Sequence, residues 1–272
     1  MEILSVGDDV KSGIYILHST FEKVKNFVSS DRLISVVSSQ VGAGPNLIIS
    51  DYFLTRSFKQ ITVKDNKLFF GEFEYDFDNG IKYSSNLHIQ KIDYDFFRYV
   101  SEIPQRYSDL LDFDSLFFLL KEKYFPKTVF QKNFFQYAYD NTRDLSIENI
   151  SNVVAKMKGL GIGLTPSGDD FNAGIIYALH IIKIFIKKDL SDIIETCYQN
   201  SLGKNKISNA FLYYSYKNMY FSDFKNFLNN LGKYECGYYL QKLLSHGHTS
   251  GSDLLAGFIL TIKNNIDRLE FN

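Results

Sequence analysis

Two stretches of this chain share one unusual grammar, and they limit what it can fold into more than any other feature. GIGLTPSGDDFNAG runs from Gly161 to Gly174, and HGHTSGSDLLAG runs from His246 to Gly257. With a one-residue gap Thr165 aligns with Thr249, Ser167 with Ser250 and Gly168 with Gly251. Asp170 then aligns with Asp253, Ala173 with Ala256 and Gly174 with Gly257. Each stretch opens onto an apolar run, so each reads as a glycine loop feeding a buried helix. Glycine allows positive φ and close approach, while Ser, Thr and Asp accept from the free N–H groups of a helix start. Ala-Gly one turn further removes bulk, so another backbone or a ligand fits against it. The 83 positions from Asp170 to Asp253 are far more than a solenoid period, and there are two copies only. The stretches therefore read as two similar sites that face each other across a small polar cavity.

Helix capping alone explains one such loop. A cap is worth roughly 0.5–2 kcal/mol and needs one carboxylate. Asp169 beside Asp170, a second copy carrying Asp253, and the flanking His246 and His248 exceed that need. A helix start attracts anions through its dipole and free N–H groups. Like charges 4 Å apart at an effective dielectric near 20 nevertheless cost about 4 kcal/mol, so an anion is expected away from the acids. Its expected seat is the backbone of Gly159, Gly161 and Gly163, or the histidines, while the carboxylates face an amide, an amine or a metal ion. A ligand with an NH2 group and an anionic end meets both conditions. On this reading Asp170, Asp253 and His248 are the candidate catalytic residues, the acids orienting N–H groups and the imidazole moving a proton near neutral pH. Gly161, Gly163, Thr165, Ser167, Gly168, Asp169, His246, Thr249, Ser250 and Gly251 are the candidate substrate-binding residues.

The remaining sequence bounds the setting. The chain has 272 residues, enough for one large domain or two small ones, and 45% of them are apolar. Net charge is −1 and the basic residues form no stripe, which argues against a nucleic-acid partner. Cys197 and Cys236 form no CxxC pair, so neither a zinc site nor a disulfide framework is expected. The opening MEILSVGDDVKSG has no apolar core of the signal-peptide kind. The run from Ile175 to Ile186, broken by His180 and Lys183, falls short of the roughly 20 apolar residues of a membrane span. A cytoplasmic location is expected, with no membrane partner and no cofactor.

The expected fold is α+β, a β-rich N-terminal part (1–103) packed on a helical C-terminal part (104–272) that carries both loops. Strands are expected in GIYILHST, RLISVVSS and NLIISDYFL, with a hairpin turning at KDNK. Phe21, Val24, Phe27 and Val28 have helical spacing and predict a short helix between the first two strands. LLDFDSLFFLLKEKYF also reads as helix, up to Pro126. Next, Ile147, Ile150, Val153, Val154 and Met157 share one apolar helix face, with Ser146 as its cap and Gly159 as its stop. Further helices are expected near 169–188, 190–201, 206–219, 221–230, 234–245 and 252–265.

The two loops resemble those of the AllH family, associated with an oxamate carbamoyltransferase built from several different subunits. LHSTFEKVKNF (His18, Ser19, Phe21, Asn26), GAGPN (Gly44, Pro45) and KISNAFLYYSYKNMYF (with Ser208) look like its other landmarks. The resemblance implies transfer of a carbamoyl group between carbamoyl phosphate and the nitrogen of oxamate, giving or consuming oxalurate, in purine and allantoin nitrogen catabolism. It also implies a hetero-oligomer whose other subunits are the partners, and a small anionic amide as substrate. Better-known carbamoyltransferases hold phosphate with a Ser-Thr-Arg-Thr motif. Here the six arginines are at 32, 56, 98, 106, 143 and 268, none in either loop. Backbone N–H groups and histidines, or another subunit, would have to hold the phosphate. Two other readings remain open on the residues: a non-catalytic structural subunit, and a hydrolase using Mg²⁺ or Mn²⁺ at the aspartates.

Overall fold

The computed structural model describes residues 3–30, 32–89, 91–110, 114–121, 126–245 and 247–269, with the side chains of 267–269 left aside. The fold is α+β, a sheet in the N-terminal part and helices in the C-terminal part. It divides into two compact units, residues 1–87 with 219–225, and residues 88–218 with 226–272.

The first unit is built on strands β1 (Ser5–Gly7), β2 (Gly13–Thr20), β3 (Val24–Ser29), β4 (Arg32–Val37), β5 (Leu47–Ile49), β6 (Gln60–Lys64), β7 (Lys67–Phe70), β8 (Phe73–Asp76) and β9 (Ile81–Tyr83). They form one sheet of order β8-β7-β6-β2-β3-β4-β5-β1-β9. Most neighbours are antiparallel, while β4 with β5 and β1 with β9 are parallel. Tyr15, Phe27, Ile34, Ile48, Phe53, Ile61, Leu68 and Phe70 make its core. Within it Phe53 stacks on Phe70 at 4.2 Å, so the short helix α1 (Asp51–Leu54) is fastened to the sheet by an aromatic ring.

The hairpin at KDNK forms as expected. Asp65 and Asn66 have φ of 50° and 61° between β6 and β7, the backbone of a two-residue turn whose twist matches that of the strands. The helix expected across Phe21 to Val28 does not form, because that segment is strand β3. It pairs with β2 on one side and β4 on the other, and it is flanked by β-branched and aromatic residues that favour this setting. A central strand buries both faces, so its apolar residues need not alternate, and over eight residues the pattern imitates a helix.

The second unit holds α2 (Tyr94–Arg106), α3 (Val129–Thr142), α4 (Ile150–Met157), α5 (Ser167–Ile186), α6 (Ser191–Ser201), α7 (Lys206–Tyr216), α9 (Cys236–Leu244) and α10 (Ser250–Leu269); α8 (Ser222–Asn229) begins in the first unit. Of LLDFDSLFFLLKEKYF, Leu116–Leu120 form a 3-10 helix, not an α-helix, while 111–113 and 122–125 lie outside the described residues. Helix α4 buries Ile150, Val153, Val154 and Met157. It starts at Asn149, not Ser146, whose N–H instead bonds the Asn149 side chain at 3.0 Å. Gly159, at φ 68°, ends it one residue beyond the cap, as the sequence predicts. No helix among the described residues is long and apolar enough to cross a membrane.

Helices α5 and α10 form the centre of the second unit, and glycine is what lets them approach. A Cβ on Gly174 would stand 2.0 Å from the carbonyl oxygen of Leu254, and one on Gly257 2.0 Å from that of Phe171. Each helix thus presses its glycine on the other's backbone, and the two aligned Ala-Gly pairs are the two halves of one seam.

Candidate functional site

The likeness of the two loops continues below the seam. A Cβ on Gly168 would fall 1.9 Å from the carbonyl oxygen of Met157, the last residue of α4. One on Gly251 would fall 2.0 Å from that of Leu243, near the end of α9. Gly161 (φ 103°) and Gly247 (φ 61°) each face the serine that opens the next helix, Ser167 and Ser250. Helix, glycine turn and helix thus occur twice, and the crossed seam brings the two turns together. Thr165 Oγ1 of the first turn and Ser250 Oγ of the second lie 3.0 Å apart in a hydrogen bond.

Pro166, the N-cap of α5, offers no side-chain hydrogen bond to the helix start at Ser167. Asp169 Oδ1 instead accepts the N–H of Gly159 at 2.7 Å, closing the loop on itself. Asp253 Oδ1 accepts the N–H of Leu116 at 2.6 Å, from the 3-10 helix 137 positions away. Asp169, Asp170 and Asp253 are all buried, Asp253 completely.

Asp170 is the unusual one. It is 8% exposed, and its Oδ2 has no hydrogen-bond partner. Burial pushes its carboxyl well above the usual carboxylate range, and the Asp253 and Asp169 charges push it the same way. The Ser250 and Thr165 hydroxyls act against this without reversing it. Of that hydroxyl pair, one donates to the other, and the one that accepts keeps a proton to offer Asp170. Asp169 is also raised, by burial; the Gly159 N–H, the nearby Ser208 hydroxyl and the Lys158 charge oppose that shift. The junction therefore combines a carboxyl whose pKa burial raises, an oxygen on it without a hydrogen-bond partner, and two hydroxyls.

The other expected site residues fall around this centre. Gly161 and Gly163 (φ 127°) keep the first turn open, but Gly159 spends its N–H on Asp169 and so has none to give an anion. The carbonyl of Thr249 accepts the first-turn N–H of Asp253 at 2.8 Å. His248 is exposed in the second turn, and His246 lies outside the described residues. Leu116 and Asn205 are participants that the sequence does not single out. Asn205 caps α7 with its Oδ1 and bonds the carbonyl of Leu164 through Nδ2 at 2.6 Å, tying the first turn to α7. Among the described residues no group of three or more His, Cys, Asp or Glu could hold a metal ion.

In the first unit the remaining landmarks make a separate polar row. Ser35 Oγ donates to Asn26 Oδ1 at 2.7 Å, Asn26 Nδ2 donates to Ser19 Oγ at 3.0 Å, and Ser19 Oγ lies 3.3 Å from His18 Nδ1. His18 is exposed on the same outward alternation as Ile14 and Ile16, and the strand register slips between Leu17 and Ser19. Gly44 packs under the Phe221 ring, and the carbonyl of Pro45 lies against Gly7. These contacts tie 219–225 into the sheet.

The segment with both turns and the whole seam now has a counterpart among known proteins. Residues 157–262 match the family model described as oxamate carbamoyltransferase subunit AllH. The AllH likeness is thus shown for the stretch from the end of α4 into α10, and this AllH-like segment includes every candidate site residue. No curated protein and no solved structure matches the chain.

Proposed function

We propose that this chain is a subunit of an oxamate carbamoyltransferase and that the junction of its two turns holds the amide end of a substrate. The observation that carries the reading is Asp170, buried, with an oxygen that has no partner, at the point where Thr165 and Ser250 join the turns. Leaving a buried polar atom unpaired costs about 1–3 kcal/mol, which a ligand recovers by supplying the partner. A neutral carboxyl offers one O–H and one C=O, and a primary amide offers one C=O and two N–H groups. The two fit edge to edge in a pair of hydrogen bonds. Oxamate and carbamoyl phosphate both have such an edge and an anionic far end.

In the transfer the oxamate nitrogen forms a bond to the carbamoyl carbon, the carbon–oxygen bond to phosphate breaks, and the nitrogen gives up one proton. Asp170 orients the N–H groups, while Asp253, fully buried with Oδ1 on the Leu116 N–H, acts on Asp170 through its charge; Thr165 and Ser250 donate to oxygen, and His248, exposed in its turn, carries the proton to solvent. The other subunits complete the enzyme, and the product oxalurate places the reaction in purine and allantoin nitrogen catabolism in the cytoplasm. The family description supports the reaction class, and the site chemistry supports the amide edge.

The test is D170A, which removes the pairing edge; D170N would keep one, because an amide side chain also offers a C=O and an N–H to a primary amide. In the assembled enzyme D170A is expected to lower carbamoyl transfer about ten-fold or more, the loss of a pair of hydrogen bonds worth about 0.5–1.5 kcal/mol each, with circular dichroism reporting that the chain still folds. Transfer at the wild-type rate by a folded D170A enzyme would contradict the amide-edge role of Asp170.

A further inference from the structure

We infer that the polar row of the first unit is a second reactive site, in which Ser19 Oγ is a nucleophile and His18 its base, acting on small uncharged carboxylic esters. The inference is independent of the carbamoyltransferase reading, because it uses no residue of the two turns.

Strand register brings the pair together. Side chains of paired residues share one side of a sheet, and successive residues of a strand take opposite sides. Leu17 pairs with Phe27 and Ser19 with Asn26, so β2 carries one residue more than β3 at this point. Phe27 belongs to the core, and Asn26, its neighbour in β3, faces the other way with Ser19. In a regular strand Ser19 would lie on the side of Leu17. The extra residue moves it to the side of His18, and two consecutive side chains meet, with Ser19 Oγ 3.3 Å from His18 Nδ1. Irregularities of this kind are common beside active sites, where they re-aim a side chain.

Hydrogen-bond direction gives the pair its chemistry. An amide nitrogen only donates, so the Asn26 bond at 3.0 Å occupies a lone pair of Ser19 Oγ and leaves the hydroxyl proton for another acceptor. His18 Nδ1 is the acceptor in reach, which puts the proton of the neutral ring on Nε2. Asn26 is held in turn by the Ser35 hydroxyl, which donates to its Oδ1 at 2.7 Å. Asn26 and Ser35 are each 4% exposed, whereas His18 is exposed. The row thus runs from β4 through β3 to β2, fixed in the sheet at one end and open to solvent at the other. Asparagine is among the residues least favoured in a strand, yet this one, buried in β3, spends its amide on aiming one hydroxyl. A hydroxyl in contact with a base, and oriented by a third group, is the arrangement of an activated nucleophile.

In the reaction Ser19 Oγ bonds to the ester carbonyl carbon, and its proton passes to His18 Nδ1. The carbon–oxygen bond to the alcohol then breaks, and the alcohol oxygen leaves with that proton. Water adds to the acyl-serine, gives a proton to His18, and releases the acid as the Ser19 hydroxyl is restored. Ile14 and Ile16, 56% and 51% exposed on the same side of β2 as His18, give the acyl group an apolar bed, which suits an uncharged ester and not an anion.

The experiment treats the full-length chain with a fluorophosphonate, which traps an activated serine irreversibly as fluoride leaves, and locates the label by peptide mass. Hydrolysis of p-nitrophenyl acetate is measured beside it. Wild type should be labelled on Ser19 at least about ten-fold faster than on the exposed hydroxyls of Thr20 and Ser57, a modest part of what a general base supplies. H18A, altered at an exposed position and so expected to melt like wild type, should lose at least about ten-fold in both labelling and hydrolysis. S19A should hydrolyse the ester no faster than buffer. Equal labelling of Ser19, Thr20 and Ser57, or labelling of Ser19 in H18A at the wild-type rate, would overturn the proposal. So would ester hydrolysis retained by S19A, because the imidazole would then be the nucleophile.

Discussion

Replacing Gly174 with alanine tests the seam that brings the two turns together. In an open helix this change favours folding by about 1 kcal/mol, because alanine is the better helix former. Here the new Cβ would be 2.0 Å from the Leu254 carbonyl oxygen and 2.8 Å from the Phe258 nitrogen, both on the backbone of α10. Neither atom can turn aside as a side chain would, so the helices must separate by more than 1 Å, counting from an ordinary contact of 3.4 Å or more. Forcing an extra carbon into a packed core costs about 1–3 kcal/mol. A gap of 0.5–1 Å also forfeits roughly a quarter to a half of each dispersion contact along the seam. After subtracting the gain in helix propensity, G174A should cost about 3 kcal/mol, a fall in Tm of about 6–12 °C for a chain of this size. G257A meets the Phe171 carbonyl oxygen in the same way and should cost a similar amount. Because the first alanine already opens the seam for the second, G174A/G257A should cost less than the two changes added. The assay is urea and thermal unfolding followed by far-UV circular dichroism, with G203A as control, since a Cβ there meets nothing within 4 Å. Unfolding of G174A within about 0.5 kcal/mol of wild type, the usual effect of a neutral surface change, would refute the close crossing and with it the meeting of the turns.

D170N should also change how stability depends on pH. Asp170 is raised by burial and then by the Asp253 and Asp169 charges, so the folded state holds its proton more tightly than the unfolded chain does. The stability this provides is complete below the ordinary aspartate value of about 3.9 and is lost as pH rises through the folded value. D170N has no such proton, so its melting temperature should rise relative to wild type as pH increases from 4 toward neutrality; a constant difference across a pH series would contradict the shift. N66V should destabilise the β6–β7 hairpin by about 1 kcal/mol, because a β-branched residue is strained at the positive φ of Asn66, while N66G should be tolerated; equal urea midpoints for the two variants would contradict this. Burial pushes the Cys197 thiol up to about 12 and raises that of Cys236, so neither should react with iodoacetamide until the protein unfolds; rapid alkylation of the native protein, read by mass, would contradict it.

Much of the site is legible in the sequence because its grammar is local. Ser-Gly-x-Asp followed by Ala-Gly marks a glycine turn, a helix start and a close approach, and Gly168, Gly174, Gly251 and Gly257 all turn out to lie against backbone. What the acids bond to is not local. The partner of Asp253 is the N–H of Leu116, and no spacing rule relates the two. That of Asp169 is Gly159, which the sequence offers equally well as an anion seat. The same limit explains β3. Its residues alone fit a helix, and the pairing of β3 with β2 and β4 decides otherwise. Helix α3 is absent from the helices the sequence predicts, and only the fold shows that it buries Phe135 and Ala138 and leaves Phe130 outside.

The most direct test of the central idea is the titration of the aspartate side chains by NMR in protein labelled with ¹³C at the aspartate carboxyl carbons, with D170N to assign the signal, before and after addition of oxamate. One carboxyl, missing from the D170N spectrum, should stay protonated well above the usual carboxylate range and should move when oxamate is added to the assembled enzyme. If every aspartate titrates in the ordinary range and oxamate moves none of them, the two turns do not make the binding site described above.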